Sequence, residues 1–283
     1  MFARKRKRKV SKTRLEQRRK TIVLIGVGIF AAVLILIGLF AWITNTERLS
    51  VVDIYISGNK VVAREDIRDL VESELEGSYL KIFARENIII YPKDDIVASI
   101  YDAYSRIKNV EVSRDGLHSL NISIYEYEPF ALWCGGLIDE YRESEESCYF
   151  FDAKGYLFDR APDFSGDAFI RYYGAISTST EPLRKSFLTP EKVAHVADFL
   201  GLLETLFFEP ISFLVTAEND YVVTMKNNVS ILIAPDSDLL EVLENLQSVV
   251  SSEKFADALS DSSSILEYID MRFDNKVFYK FAE

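Results

Sequence analysis

Residues 22–43 read IVLIGVGIFAAVLILIGLFAWI, an uncharged and almost wholly apolar run. With a rise of about 1.5 Å per residue it is about 33 Å long as a helix, enough to cross a hydrocarbon core of roughly 30 Å. In lipid the backbone has to satisfy its own hydrogen bonds, which forces that helix. The run exceeds the roughly 7–15 apolar residues of a signal peptide, and its exit, Phe40-Ala41-Trp42-Ile43-Thr44, lacks a small-x-small cleavage pattern. The reading is one retained transmembrane helix over residues 21–43.

The charges on either side orient it. Arg4, Lys5, Arg6, Lys7, Arg8, Lys9, Lys12, Arg14, Arg18, Arg19 and Lys20 stand against Glu16, so residues 1–20 carry a net +10. An arm of that sign stays in the cytoplasm and attracts anionic headgroups. Placed directly against a span, it reads as a topology signal and not as a nucleic-acid patch. Subtracting it from the formal net charge of −11 leaves −21 for residues 21–283. About 235 residues are then expected outside the cytoplasm, more than one typical core, so two domains are expected.

Beyond a short polar exit, residues 52–57 alternate as a strand and stop at Gly58-Asn59-Lys60. Ile67, Leu70, Val71 and Leu75 recur at helical spacing, with Gly77 ending the helix and Leu80, Ile82 and Phe83 forming a short apolar plug. A second helix opens at Tyr91-Pro92, with Ile96, Ile100, Tyr104 and Ile107 on one side. Residues 110–114 and 120–126 alternate around Asp115-Gly116 as a hairpin. The order is strand, helix, helix, strand, strand.

Past Pro129 the chain becomes strand-rich. Strands are expected over 130–133, 149–151 and 156–159, the last two joined at Asp152-Ala153-Lys154-Gly155, with an acidic loop over 135–147. Val193, Val196, Ala197, Leu200, Leu203 and Phe207 mark an amphipathic helix over 190–208 that Pro210 helps to stop. Strands over 211–216, 221–225 and 229–233 follow, with Asn227-Asn228 as a tight turn. Another helix covers 236–250, and residues 266–281 read as two strands around Asp274-Asn275. Cys134 and Cys148 are the only cysteines, with no metal-ligand pattern around them. An oxidising compartment favours a disulfide between them over two buried thiols.

The segments SGNKVVAREDI (57–67), IYPKDDI (90–96), IKNVEVSR (107–114) and EYEP (126–129) resemble a POTRA module. The whole layout resembles the FtsQ/DivIB family of bacterial division proteins, and YIDMR (268–272) is similar to that family's terminal YVDLR stretch. The resemblance implies an α+β fold: basic arm 1–20, transmembrane helix 21–43, a POTRA-type β-α-α-β-β domain over 49–128, and a mixed, mainly antiparallel β domain with two helices over 129–283. It further implies binding of FtsB/DivIC-like and FtsL-like bitopic partners at the division septum. The binding residues it points to are Asp270, Arg272, Phe273 and Asn275, with Val277, Tyr279 and Phe281 on the strand that follows. Phe273 stands where the family can carry tyrosine, which keeps the aromatic ring and removes a phenolic hydrogen bond. Arg272 is expected to pair with an acid of the partner or with a local one such as Asp270.

Catalysis is not expected. The two histidines, His118 in a hairpin region and His195 within a helix, have no evident partner for acid–base or nucleophilic work. No phosphate-cradling glycine loop or metal cluster is present in the pattern, so no cofactor, metal or small-molecule substrate is expected. Asn121-Ile122-Ser123 and Asn228-Val229-Ser230 match the glycosylation triplet and read as strand residues. What remains is a sheet edge to which an extended segment can add, with the strand over 276–281 as the candidate; an internal core strand paired on both sides is the alternative reading of that stretch. A POTRA-containing polypeptide-handling protein and a membrane-tethered wall enzyme are the other classes that the layout admits.

Overall fold

The computed structural model describes residues 12–135, 147–163, 168–176, 181–206, 208–253, 255, 257, 265–273 and 276–282. The expected loop over 135–147 lies mostly outside them, as do Phe207 and the Asp274-Asn275 turn. The chain is mixed α+β, with one apolar N-terminal helix and a large mixed sheet. Helix α1 (Lys12–Thr44) is longer than the expected span and takes in the end of the basic arm. Its segment Gln17–Thr44 is apolar enough to cross a membrane. The chain divides into two compact units, Met1–Tyr101 with Val110–Ile124, and Asp102–Asn109 with Tyr125–Glu283.

In the first unit, strand β1 (Asp53–Ser57) precedes α2 (Arg64–Leu75), a short hairpin of β2 (Ser78–Tyr79) and β3 (Phe83–Ala84), and α3 (Lys93–Ala103). Strands β4 (Ile107–Asp115) and β5 (Ser119–Glu126) complete a sheet of order β1-β5-β4, with β1 parallel to β5. Ile67, Val71 and Leu75 of α2 and Ile96 and Ile100 of α3 are buried, as are alternate positions of the strands such as Leu120, Ile122 and Ile124. This is the one-faced pattern that periods of 3.6 and 2 produce. Gly58 ends β1 at φ +82°, where a Cβ would collide with the carbonyl oxygen of Ile124. Only glycine serves there.

Two local readings are corrected. Helix α3 stops at Ala103, so Tyr104 lies beyond it and Ile107 opens β4. Ile107 is buried from the strand, and a helical stripe that runs on into a strand keeps its apolar residues while changing its period. The apolar plug at 80–83 belongs to the β2–β3 hairpin, with both Leu80 and Lys81 at positive φ.

The second unit holds a nine-stranded sheet of order β14-β13-β12-β11-β10-β9-β6-β7-β8. Its strands are β6 (Ala131–Trp133), β7 (Tyr149–Phe151), β8 (Leu157–Arg160), β9 (Arg171–Tyr173), β10 (Pro210–Val215), β11 (Tyr221–Met225), β12 (Ser230–Ile233), β13 (Ile265–Phe273) and β14 (Lys276–Ala282). Strand β9 was not expected from sequence; it runs parallel to both β10 and β6, and only those partners make three residues a strand. Helices α4 (Pro190–Thr205) and α5 (Leu239–Val250) are started by Thr189 and Asp238, whose side chains accept from the backbone N–H of Lys192 and Leu240. Their apolar faces, Val193, Val196, Phe199, Leu200 and Leu203 with Val242 and Leu246, join Phe213, Val223, Ile231 and Ile269 in the main core. Cys134 and Cys148 are joined by a disulfide that ties β6 to β7.

Candidate functional site

The two ends of the nine-stranded sheet differ. Beyond β8, the backbone N–H of Leu157 donates to the Lys185 carbonyl at 2.7 Å and its carbonyl accepts from the N–H of Arg184 at 2.8 Å, so that margin is covered at its first residue. Strand β14 pairs only with β13, and among the described residues no strand lies on its outer side. Alternate residues of β14, a strand of seven residues and about 24 Å, therefore turn outward backbone donors and acceptors that have no strand partner among the described residues. The condition that strand addition requires is met by the topology.

The face of this margin is built from the register of the last two strands. Asp270 lies opposite Phe278 and Phe273 opposite Lys276, with an irregularity between Asp270 and Phe273. Tyr268, Asp270, Arg272, Phe273, Lys276 and Phe278 line one open groove of about 710 Å³. The rings of Phe273 and Phe278 meet edge to face with centroids 5.3 Å apart, and both residues stay about half exposed, at 52% and 50%. An aromatic pair this exposed has area left to bury against a partner.

Arg272 is fixed from within the chain. Its Nε and Nη2 donate to the two carboxylate oxygens of Asp270 at 2.9 and 2.7 Å, and its Nη1 donates to Asp220 Oδ2 at 2.9 Å. The backbone N–H of Arg272 also donates to Asp270 Oδ1. The guanidinium hydrogen bond holds the Asp270 carboxyl below its ordinary value against burial, which pushes it up. The same bonds, with those to Asp220, push the Arg272 guanidinium further up. The local acid is thus the partner that the structure gives Arg272, along the strand and not across it. Lys280 meets Glu267 at 2.6 Å, which raises its ammonium group's proton affinity.

The seven residues singled out in the sequence do not share one surface. Asp270, Arg272 and Phe273 lie on the open face. Val277 and Phe281 pack against the main core from the other face, and Tyr279 meets the buried ring of Phe255 at 5.3 Å. Asn275 lies outside the described residues. Phe278, Tyr268 and Asp220 are the participants that sequence reading missed. The strict alternation of β14 is the signal that would have found Phe278, since it points opposite to Val277 and Tyr279. Asp220 had no such signal, because it comes from the β10–β11 turn and meets Arg272 only through sheet order.

His195 is exposed on α4 and lines a separate groove with Lys192, Asp198 and Asp236. His118 sits in the turn before β5, its Nδ1 3.4 Å from the Ser50 carbonyl oxygen. Among the described residues no cluster of three His, Cys, Asp or Glu side chains is arranged to hold a metal ion. The chain matches no protein-family model and no curated protein sequence.

Proposed function

We propose that this protein is a single-pass, membrane-anchored scaffold of the FtsQ/DivIB type that works by binding and not by catalysis. On this reading its basic arm is cytoplasmic, its first unit is a POTRA-type module, and its β unit captures FtsB/DivIC-like and FtsL-like bitopic partners at the division septum. That capture links assembly of the division site to septal peptidoglycan synthesis. The order β1-α2-α3-β4-β5, with the short β2–β3 hairpin inserted between the helices, behind a span-length helix supports the module.

The observation that carries the proposal is the open outer margin of β14 beside the Phe273–Phe278 groove. A partner segment adds as a tenth strand, backbone ladder supplying affinity, and the aromatic pair with Tyr268 selecting its side chains. Lys276 and Lys280 on the same strand discourage a second copy from pairing there.

The test is co-purification of the full chain from membranes with its bitopic partners, comparing the native protein with Phe273→Ala and Phe278→Ala variants. Partner capture is expected to fall in both; capture undiminished in both removes the site. A fluorescent fusion concentrating at midcell, with filamentation on depletion, separates division from general polypeptide handling in the envelope, which predicts an even signal.

A further inference from the structure

The end of α1 is bound to the hairpin that follows α2. Asn45 Nδ2 donates to the Ile82 carbonyl oxygen at 2.8 Å, and Asn87 Nδ2 donates to the Thr44 carbonyl oxygen at 3.0 Å. Thr44 and Asn87 are both fully buried. The Phe40 ring packs against Phe83 of β3 with centroids 5.5 Å apart. Phe40 precedes Thr44 by four residues, about 6 Å along the helix, so β3 lies beside the last turn of α1 and not beyond it.

The tip of that hairpin is apolar and outward-facing. Leu80 is 84% exposed and Ile82 is 45% exposed. Leu80 and Lys81 hold φ of 50° and 60°, a left-handed turn that Asn or Gly would make without strain. The turn therefore displays Leu80 at the cost of backbone strain. The backbone there is partly satisfied, since β2 pairs with β3 and the Ile82 N–H donates to the Tyr79 carbonyl at 3.0 Å. Lys81 has a stem long enough to carry its charge to headgroups while Leu80 goes deeper.

We infer that the β2–β3 hairpin is a second membrane contact, with Leu80 and Ile82 entering the interfacial layer of the leaflet from which α1 emerges. The occupant of this apolar surface is the lipid bilayer, because the surface is continuous with the apolar end of α1 through Phe40 and Phe83. The inference rests on α1 spanning the membrane. Its consequence is a two-point attachment: the first unit does not swivel freely about Thr44 but keeps one orientation to the bilayer.

The full chain carrying a single Leu80→Cys, Val61→Cys or Ile35→Cys change is labelled with an environment-sensitive fluorophore and placed in phosphatidylcholine–phosphatidylglycerol vesicles. Cys134 and Cys148 are consumed by their disulfide and take no label. Val61 is 61% exposed at the opposite end of β1 from the α1 junction, and Ile35 lies mid-span. The label at position 80 is expected to lose emission to nitroxide lipid and to resist iodide present on both sides, as at position 35, while at position 61 the pattern reverses. Iodide quenching at 80 with lipid quenching at 35 overturns the inference and leaves the span standing. Iodide quenching at 35 overturns both.

Discussion

Arg272 grips Asp270 through two parallel hydrogen bonds, at 2.9 and 2.7 Å, two residues apart on one strand. The period of a strand puts both side chains on one face, so the guanidinium lies back along its own strand and leaves Nη1 to reach Asp220.

The pair makes stability pH-dependent with a definite sign. The folded-state value of Asp270 lies below its ordinary 3.8, so its contribution is present in full above that value. It is lost as pH falls through the lower, folded value. Asp270→Asn is expected to cost roughly 2 kcal/mol near neutral pH. Urea denaturation should show the difference between the native protein and the variant shrinking as pH falls from about 4 and vanishing only below the lower, folded-state value, where the carboxylate is protonated in both states.

Phe273 and Phe278 are about half exposed, so their truncation touches binding far more than folding. Each alanine variant is expected to melt close to the native temperature while weakening partner capture by about tenfold or more, the scale of an interface anchor. Calorimetry of the purified protein and titration against the partner separate the two effects.

Arg106 sits with its side chain 12% exposed, donating to Glu126 at 3.3 Å and Asp159 at 2.8 Å and lying over the ring of Phe158 at 5.3 Å. Glu126 is more deeply buried still, at 2%. Arg106→Leu removes the cation from a buried carboxylate, and a loss of about 3 kcal/mol is expected in chemical denaturation.

Two glycines at positive φ separate strain from collision. Gly77→Ala adds a Cβ in open space and should cost about 1 kcal/mol. Gly58→Ala meets the Ile124 carbonyl as well, so its thermal midpoint should fall further.

The disulfide closes a loop with a sequence separation of 14. Replacing Cys134 and Cys148 together by serine is expected to lower unfolding free energy by about 3 kcal/mol, and a reducing agent should bring the native protein to a similar midpoint.

Features that depend on neighbours along the chain are legible in the residues alone. The span of α1 follows from apolar length, α2 and α5 from apolar stripes, and the β11–β12 turn from Asn228, which takes φ 65°. Tertiary structure decided what depends on strands far apart in sequence. Three residues, Arg171–Tyr173, become a strand only between β10 and β6, and Asp220 reaches Arg272 only because β11 and β13 flank β12. Whether β14 is sealed or open is likewise a property of sheet order. Local periodicity shows which face of a strand is apolar but carries no information about which strands lie beside it, since backbone hydrogen bonds across a sheet are blind to side-chain identity.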